Sequence, residues 1–310
     1  MPSSEAVSPA AISSFFEICN ADTKGRPLTD PVRIGARGGG FALKRGVSAN
    51  VTTKNAEKTT IVIRINGRLA PEAHTTRWAI EHLLEQAGST QDVHVDLNVK
   101  VPIGAGYGTS AGGTAASCLA LADAAKIPVS INEIGTLTHV AEVVNRTGLG
   151  TAYPVLVGGF VLVTEPGPPG VGLVDRLLFP EGHSIVCVYL SSIPTRDALS
   201  QPDLAARVNP LARRALETIR RTPNLGTFLK EVRRFAESAG FQTPELAQLV
   251  KTLQSAGVLG VGQNMIGKAI HAVVEDSKVP RVMSTVRTAF PSAKVFASRL
   301  DDRGVRLSSS

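Results

Sequence analysis

A chain of 310 residues, 43% hydrophobic and 19% charged, is long enough to build a large core in two domains or one elaborate one. Its net charge is +7, yet aromatic residues make up only 5%, too few for a base-stacking surface, and the basic residues are spread out apart from a cluster at Arg207, Arg213, Arg214, Arg220 and Arg221. This favours anionic small molecules or a solvated helix face over nucleic acid; a membrane is not expected either, because the longest apolar stretch, Val155 to Val163, contains Gly158 and Gly159 and is too short to span a bilayer.

In chain order, residues 1–8 are polar and read as a disordered extension. No basic segment followed by an apolar core is seen there, so no signal peptide is expected. Ala10 to Cys19 is apolar except for Glu17, Asn20 to Asp30 is a turn-rich loop, and a glycine-rich run, Gly35 to Gly40, leads into a strand around Phe41 to Leu43. Ile61 to Ile65 reads as a strand closed by the turn pair Asn66-Gly67, and Pro71 to Gln86 as a helix with Gly88 beyond its end. Val93, Val95, Leu97 and Val99 alternate with polar residues, the period of a half-buried strand. Pro102 ends it, a glycine-rich loop follows, and from Thr114 an alanine-rich helix is expected. Ser130 and Glu133 form a capping box that opens a helix to about Val144. A loop to Pro154 and a buried strand at Val155 to Val163 come next, and the Pro/Gly-dense segment Pro166 to Gly172 reads as the connection between domains. Ser184 to Leu190 is a strand; Asp203 to Arg221, Asn224 to Ala239 and Pro244 to Ala256 are helices, the last capped by Thr243. A second glycine loop, Gly257 to Gly262, leads into a helix from about Asn264, followed by a helix at Arg281 to Phe290 and a strand at Lys294 to Arg299. Strands and helices mixed in this way give an α+β fold. Cys19, Cys118 and Cys187 are far apart and show no metal spacing, which suits reduced thiols in the cytoplasm.

The chemistry concentrates at Gly104, Gly106 and Gly108, followed by Thr109, Ser110 and Ala111. Glycine at every second position lets the backbone take positive φ and approach a bulky anion with no Cβ in the way. The first amides of the following helix have no partner and carry partial positive charge, so the loop and helix start form an oxyanion cradle. One of the two hydroxyls is placed for a phosphate oxygen and the other for Mg²⁺. No lysine precedes Thr109 or Ser110, which excludes a Walker loop, and Thr109 stands where a dinucleotide fingerprint needs its third glycine. Arg33 and Arg37 lie in the glycine-rich segment before residue 40, and two guanidinium groups in one such turn suit an anion.

Pro102, Gly106, Gly108, Thr109, Ser110 and Ala111 spell P-x-x-x-G-x-G-T-S-A, which resembles the nucleotide loop of the GHMP kinase superfamily. Ile12 to Cys19, Asp30 to Gly40, Thr147 to Gly150 (T-G-L-G) and Gly260 to Gly267 together resemble the archaeal pantoate kinase family within it. The resemblance implies a two-domain GHMP kinase fold: a nucleotide-binding N-terminal domain over 9–170 similar to ribosomal protein S5 domain 2, and a ferredoxin-like C-terminal domain over 171–310. It implies ATP-dependent phosphorylation of pantoate on the way to coenzyme A, with ATP and Mg²⁺ as cofactors. The nucleotide would lie on Pro102, Gly104, Gly106, Tyr107, Gly108, Thr109, Ser110 and Ala111, and the second glycine loop would close over it. Ser110 and Glu142 would hold Mg²⁺, and Arg33 or Arg37 would bind the acceptor. Two departures stand out: Pro9-Ala10 where these kinases usually carry Pro-Gly, and Thr151 where an acidic residue is expected after T-G-L-G. Threonine cannot be a carboxylate base, so the base is unassigned. A kinase for another small alcohol, homoserine or an isoprenoid precursor, and a nucleotide-binding regulator without catalysis are the alternatives; a homodimer is left open.

Overall fold

The structure is a computed structural model and describes residues 1–192, 203–265 and 267–308. A mixed sheet of eight strands is built around β1 (Ser3–Cys19) and β2 (Gly35–Asn55), which pair antiparallel along their whole length. Beyond β2 the sheet divides. Its start pairs with β6 (Phe160–Glu165), which carries β7 (Leu173–Leu177) at its edge, and its end pairs with β5 (Gln91–Val99). β5 lies parallel to β3 (Thr60–Ile65), which holds the short β4 (Arg68–Leu69); β12 (Arg306–Leu307) pairs with β1 on the other side. Three helices pack this sheet: α1 (His74–Gln86), α2 (Thr109–Ala125) and α3 (Ile131–Asn145), with the short α4 (Ala152–Val157) after them.

The second sheet is all antiparallel, in the order β11 (Lys294–Ser298), β8 (His183–Ser191), β10 (Lys268–Glu275), β9 (Gly260–Gln263). Successive residues of β8 point to opposite faces, and both faces are buried, which explains its unbroken apolar run. Val186 and Val188 pack with α7 (Pro244–Ser255) and α8 (Val279–Ala289). Ile185 and Cys187 face α5 (Leu204–Arg221) and α6 (Leu225–Ser238) in a cluster that also takes in the first sheet. Phenylalanines join the two: Phe41 stacks on Phe160 at 4.8 Å, and Phe228 of α6 meets the Phe160 ring edge-on at 4.6 Å. The few aromatic residues are thus spent on the core.

Several sequence expectations are corrected. Residues 3–8 are not a disordered extension: they are the start of β1, paired with Val47–Thr52 of β2, and Ala6 is fully buried. That order comes from pairing with distant strands, which local polarity does not reveal. The segment 166–172 joins β6 to β7 within one sheet, and the chain leaves that sheet only after Leu177. α4 begins at Ala152, so the strand expected from Val155 starts at Phe160 instead. No helix follows Asn264; 268–275 is strand β10, because β8 and β9 flank it and cover its backbone groups. The capping box at Ser130 and Glu133 is present with both bonds, and Asn224 and Thr243 cap their helices by accepting backbone N–H groups.

β1 bulges between Ser13 and Phe15 as it passes the glycines of β2. A Cβ on Gly40 would fall 1.7 Å from the Ile12 carbonyl oxygen, so the bulge needs glycine there. Gly40→Ala is expected to destabilise the protein by about 3 kcal/mol or more in denaturant unfolding. Gly67→Ala, at φ +81° with open space around it, should cost only about 1–2 kcal/mol. Equal losses at the two positions would contradict this account of the bulge.

Candidate active site

The loop between β5 and α2 has the backbone its glycines foretell. Gly104, Gly106 and Gly108 take φ values of 73°, 72° and 59°, all left-handed. α2 begins at Thr109, five residues earlier than expected, so Thr109, Ser110 and Ala111 supply its partnerless first amides directly behind the loop. The Tyr107 carbonyl accepts the Ala11 N–H of β1 at 2.9 Å. Since N–H and C=O of a trans peptide point opposite ways, this bond turns the Gly108 N–H away from β1. Gly112 lets α2 approach β1 closely: a Cβ there would lie 3.2 Å from the Pro9 carbonyl oxygen.

A cavity of about 140 Å³ opens over this loop. Its walls include Gly104, Gly106, Tyr107, Gly108, Thr109 and Ser110 on one side and Glu142, Thr147 to Thr151 and Met265 on the others, with Arg37 at its edge. Pro102 and Ala111 of the expected nucleotide set do not line it, and the Tyr107 ring turns into the core, 5.7 Å from Phe296. Ala10 is buried in the core and lines no part of the cavity, so its methyl group crowds no ligand. Met265 comes from the turn after β9, and a Cβ on neighbouring Gly267 would sit 2.8 Å from the Ala105 carbonyl carbon, so the second glycine segment packs directly on the first.

Glu142 is the only carboxylate lining the cavity among the described residues. It sits in the last turn of α3, 2% exposed, and its Oε2 has no hydrogen-bond partner. Burial pushes its carboxyl up to about 8, with the Ser110 hydroxyl pulling the other way. Gly148 makes room for it: a Cβ there would lie 2.5 Å from Oε2. Ser110 donates to the Thr147 hydroxyl at 3.3 Å, which is 3.0 Å from that of Thr75. Thr147 and Gly148 were not singled out from sequence as site residues; their signal was the T-G-L-G run five residues after Glu142. An orphaned buried carboxylate oxygen beside a serine hydroxyl fits a hard divalent cation. No group of three or more His, Cys, Asp or Glu side chains is gathered for a metal among the described residues. One carboxylate beside a hydroxyl suits Mg²⁺, which is held by one or two carboxylates while waters and phosphate oxygens fill its other positions.

Arg37 and Arg33 part company. Arg33 is exposed in the turn at 31–33 and lines no part of the cavity. Arg37 donates through Nε and Nη2 to both carboxylate oxygens of Glu17, at 2.9 and 3.0 Å. Glu17 is 1% exposed and also accepts from Arg213 of α5 at 2.6 Å. Two guanidinium groups on one carboxylate leave a net positive charge at the cavity edge. Sequence reading missed Glu17 as the partner because the contact spans 20 and 196 residues. Thr151 immediately precedes α4 without a side-chain capping bond and lines the cavity, its methyl group 2.3 Å from where a Gly108 Cβ would be.

Comparison with known proteins adds the family. Residues 74–159 match the family model described as "GHMP kinases N terminal domain", which spans α1, β5, the glycine loop, α2, α3 and α4. Residues 74–159 are thus similar to the N-terminal domain of GHMP kinases. It is similar to the pantoate kinase of Thermococcus kodakarensis, 29% identical over 94% of this chain and 95% of that one. It is 23% identical to the pantoate kinase of Methanocaldococcus jannaschii over 90% and 96%. A solved structure described as a phosphotransferase related to the CoA biosynthesis pathway superposes with a TM-score of 0.87 at 24% identity, covering 99% of this chain and 98% of that one. The fold is therefore that of the GHMP kinases, with mixed α and β content.

Burial of Glu142 has a measurable consequence. Its folded-state titration lies near 8, above the ordinary 4.5. The stabilisation by the protonated form is complete below about pH 4.5 and is lost as pH rises toward 8. The ligand-free protein should lose thermal stability between pH 5 and 8, at no more than about 1.4 kcal/mol per pH unit from this group. Glu142→Gln should remove that slope, and Mg²⁺ with a nucleotide should raise stability most at pH 8. The same slope in the glutamine variant would contradict it.

Proposed function

We propose that this chain is an ATP-dependent small-molecule kinase that phosphorylates pantoate to 4-phosphopantoate, a step in coenzyme A biosynthesis. The observation that carries the reading is the meeting, in one cavity, of three left-handed glycines before a helix start with an orphaned buried carboxylate and a serine hydroxyl. The named relatives, pantoate kinases aligned over nine-tenths or more of the chain, supply the acceptor.

In this reading the amides of Gly106 and Gly108 and those opening α2 bind the ATP phosphates. Ser110 and Glu142 hold Mg²⁺. Bound there, Mg²⁺ supplies charge neutralisation on the phosphate oxygens. Thr151 and Ser13, which line the same cavity, would bound the acceptor hydroxyl. Thr151 offers no carboxylate base, which phosphoryl transfer tolerates because positioning and charge neutralisation dominate it. Arg37, aimed by Glu17 and Arg213, meets the carboxylate of pantoate with the positive charge left at the cavity edge. The same proposal divides the chain into a nucleotide-binding part similar to ribosomal protein S5 domain 2 and a ferredoxin-like part, in keeping with the two sheets.

The test is ADP release from ATP with Mg²⁺ and a panel of pantoate, homoserine, mevalonate and shikimate. Turnover of pantoate alone is expected; turnover of another alcohol instead, or ATP binding with no turnover, would contradict the assignment. Arg37→Met should lower kcat/KM for pantoate by about ten- to a few-hundred-fold, the worth of a charge-assisted hydrogen bond. The loss should shrink for an uncharged pantoate analogue, and ATP affinity should barely change. An equal loss for charged and uncharged acceptors would mean that Arg37 serves only to neutralise Glu17. Ser110→Ala should reduce turnover more than nucleotide binding, most clearly at limiting Mg²⁺.

A further inference from the structure

A buried hydrogen-bonded chain holds the glycine loop from behind, and no step above uses it. Ser14 of β1, Asn264 after β9 and His271 of β10 are all 0% exposed. Asn264 Nδ2 donates to the Ala105 carbonyl at 3.2 Å. Asn264 Oδ1 lies 2.9 Å from His271 Nδ1, and His271 Nε2 lies 3.1 Å from Ser14 Oγ.

The proton positions follow without choice. A carbonyl only accepts, so the Asn264 amide nitrogen must face Ala105 and its oxygen must face the imidazole. That oxygen only accepts, so His271 carries its proton on Nδ1. The bare Nε2 then accepts from the Ser14 hydroxyl. Every member has a partner and a direction, and the ring stays neutral, since burial pushes its titration down to about 3.

The chain ends on a peptide of the loop itself. The Ala105 carbonyl and the Gly106 N–H belong to one planar trans unit and point opposite ways. Tying the carbonyl back toward Asn264 aims the Gly106 N–H the other way, toward the cavity that Gly106 lines. The turn carrying Asn264 is itself clipped in place: the Asn264 N–H donates to the Ala269 carbonyl at 2.9 Å, and the Met265 N–H donates to the Ser13 carbonyl at 2.7 Å. The bulge in β1 between Ser13 and Phe15 is what turns Ser14 to the imidazole.

We infer that His271 is a positioning residue for nucleotide binding: through Asn264 it sets the Ala105–Gly106 peptide and so fixes the direction of a phosphate-binding amide that it never touches. The second sheet thereby has a direct part in phosphate binding. This rests on reading the loop as a nucleotide cradle, though not on the identity of the acceptor.

The test uses the full chain and two readouts: amide hydrogen exchange at 104–108 in the ligand-free protein, and MgATP affinity by calorimetry without acceptor. His271→Leu keeps the bulk and loses both bonds; its exchange at 104–108 should rise and its MgATP affinity fall by about tenfold or more. His271→Asn, which keeps an amide donor near the Nδ1 position, should recover most of that affinity. Val273→Ala, on the same strand and face of β10, should lower the unfolding temperature yet leave MgATP affinity within about threefold of wild type. Ser14→Ala cuts only the far end of the chain and should give a smaller loss in the same direction, which keeps the test informative if the leucine variant does not fold. Wild-type affinity in His271→Leu, or a loss in Val273→Ala as large as in His271→Leu, would overturn the inference. A wild-type chain that binds MgATP but phosphorylates no alcohol would overturn the kinase assignment and leave this inference standing; a chain that binds no MgATP would overturn both.

Discussion

A trans peptide cannot show its N–H and its C=O to the same side, and the site depends on that constraint. To aim the amides of Gly106 and Gly108 at a ligand, the carbonyls of Ala105 and Tyr107 must be accepted by something behind the loop. The Ala11 N–H of β1 takes one and the Asn264 side chain takes the other. These two groups belong to different sheets, so the loop is correct only when the sheets are docked. The phenylalanine cluster that joins β1, β2 and β6 to α6 therefore does more than fill space: it brings Asn264 within reach of Ala105. The glycines follow from the same demand, because left-handed backbone at alternate residues is what reverses successive peptides.

Glu142 is the opposite case, a group the fold holds at a cost. It is buried at the carboxyl end of α3, where the helix dipole disfavours an anion, and one of its oxygens has no partner. Nothing in the core gains from it. Gly148 leaves it space, and the hydroxyls of Ser110, Thr147 and Thr75 line up beside it. A fold that keeps an unpaired carboxylate beside a phosphate-shaped loop is stabilised when a cation arrives, which ties ligand binding to stability. Arg37 shows the same division of labour in reverse. Its guanidinium is satisfied by a buried glutamate, and a second arginine on that glutamate leaves positive charge at the cavity edge.

Local chemistry was legible in the sequence and long-range pairing was not. The alternation of Gly104, Gly106 and Gly108 states its own backbone requirement, and the caps at Ser130 and Thr243 are read within three residues. Ser3 to Ser8 looked disordered because their order comes from β2 and β12, dozens to hundreds of residues away. Ala269 to Val274 gave an apolar run that suits a buried helix or a buried strand alike, and only its neighbours β8 and β9 decide. In the site, Ser110 and Glu142 were found through motifs with fixed spacing. The partners of Glu17, Asn264 and His271 are set by no such spacing: the Ser14–His271 contact joins residues 257 apart. Arg33 and Arg37, adjacent in the sequence pattern, are separated by the structure because only Arg37 lies on the strand that borders the cavity.

The central claim is that the left-handed glycine loop is a phosphate cradle, and it is tested most directly by the affinity of MgATP for Gly106→Val and Gly108→Val. At left-handed φ, a branched side chain would press on Asn264 and Met265 from position 106 and on Thr151 and Ala11 from position 108, so each substitution turns the loop's amides out of place. Both variants should unfold cooperatively and bind no MgATP at concentrations that saturate the wild-type chain. A folded valine variant at either position that binds MgATP with wild-type affinity would contradict the account, because the phosphates would then have to lie elsewhere.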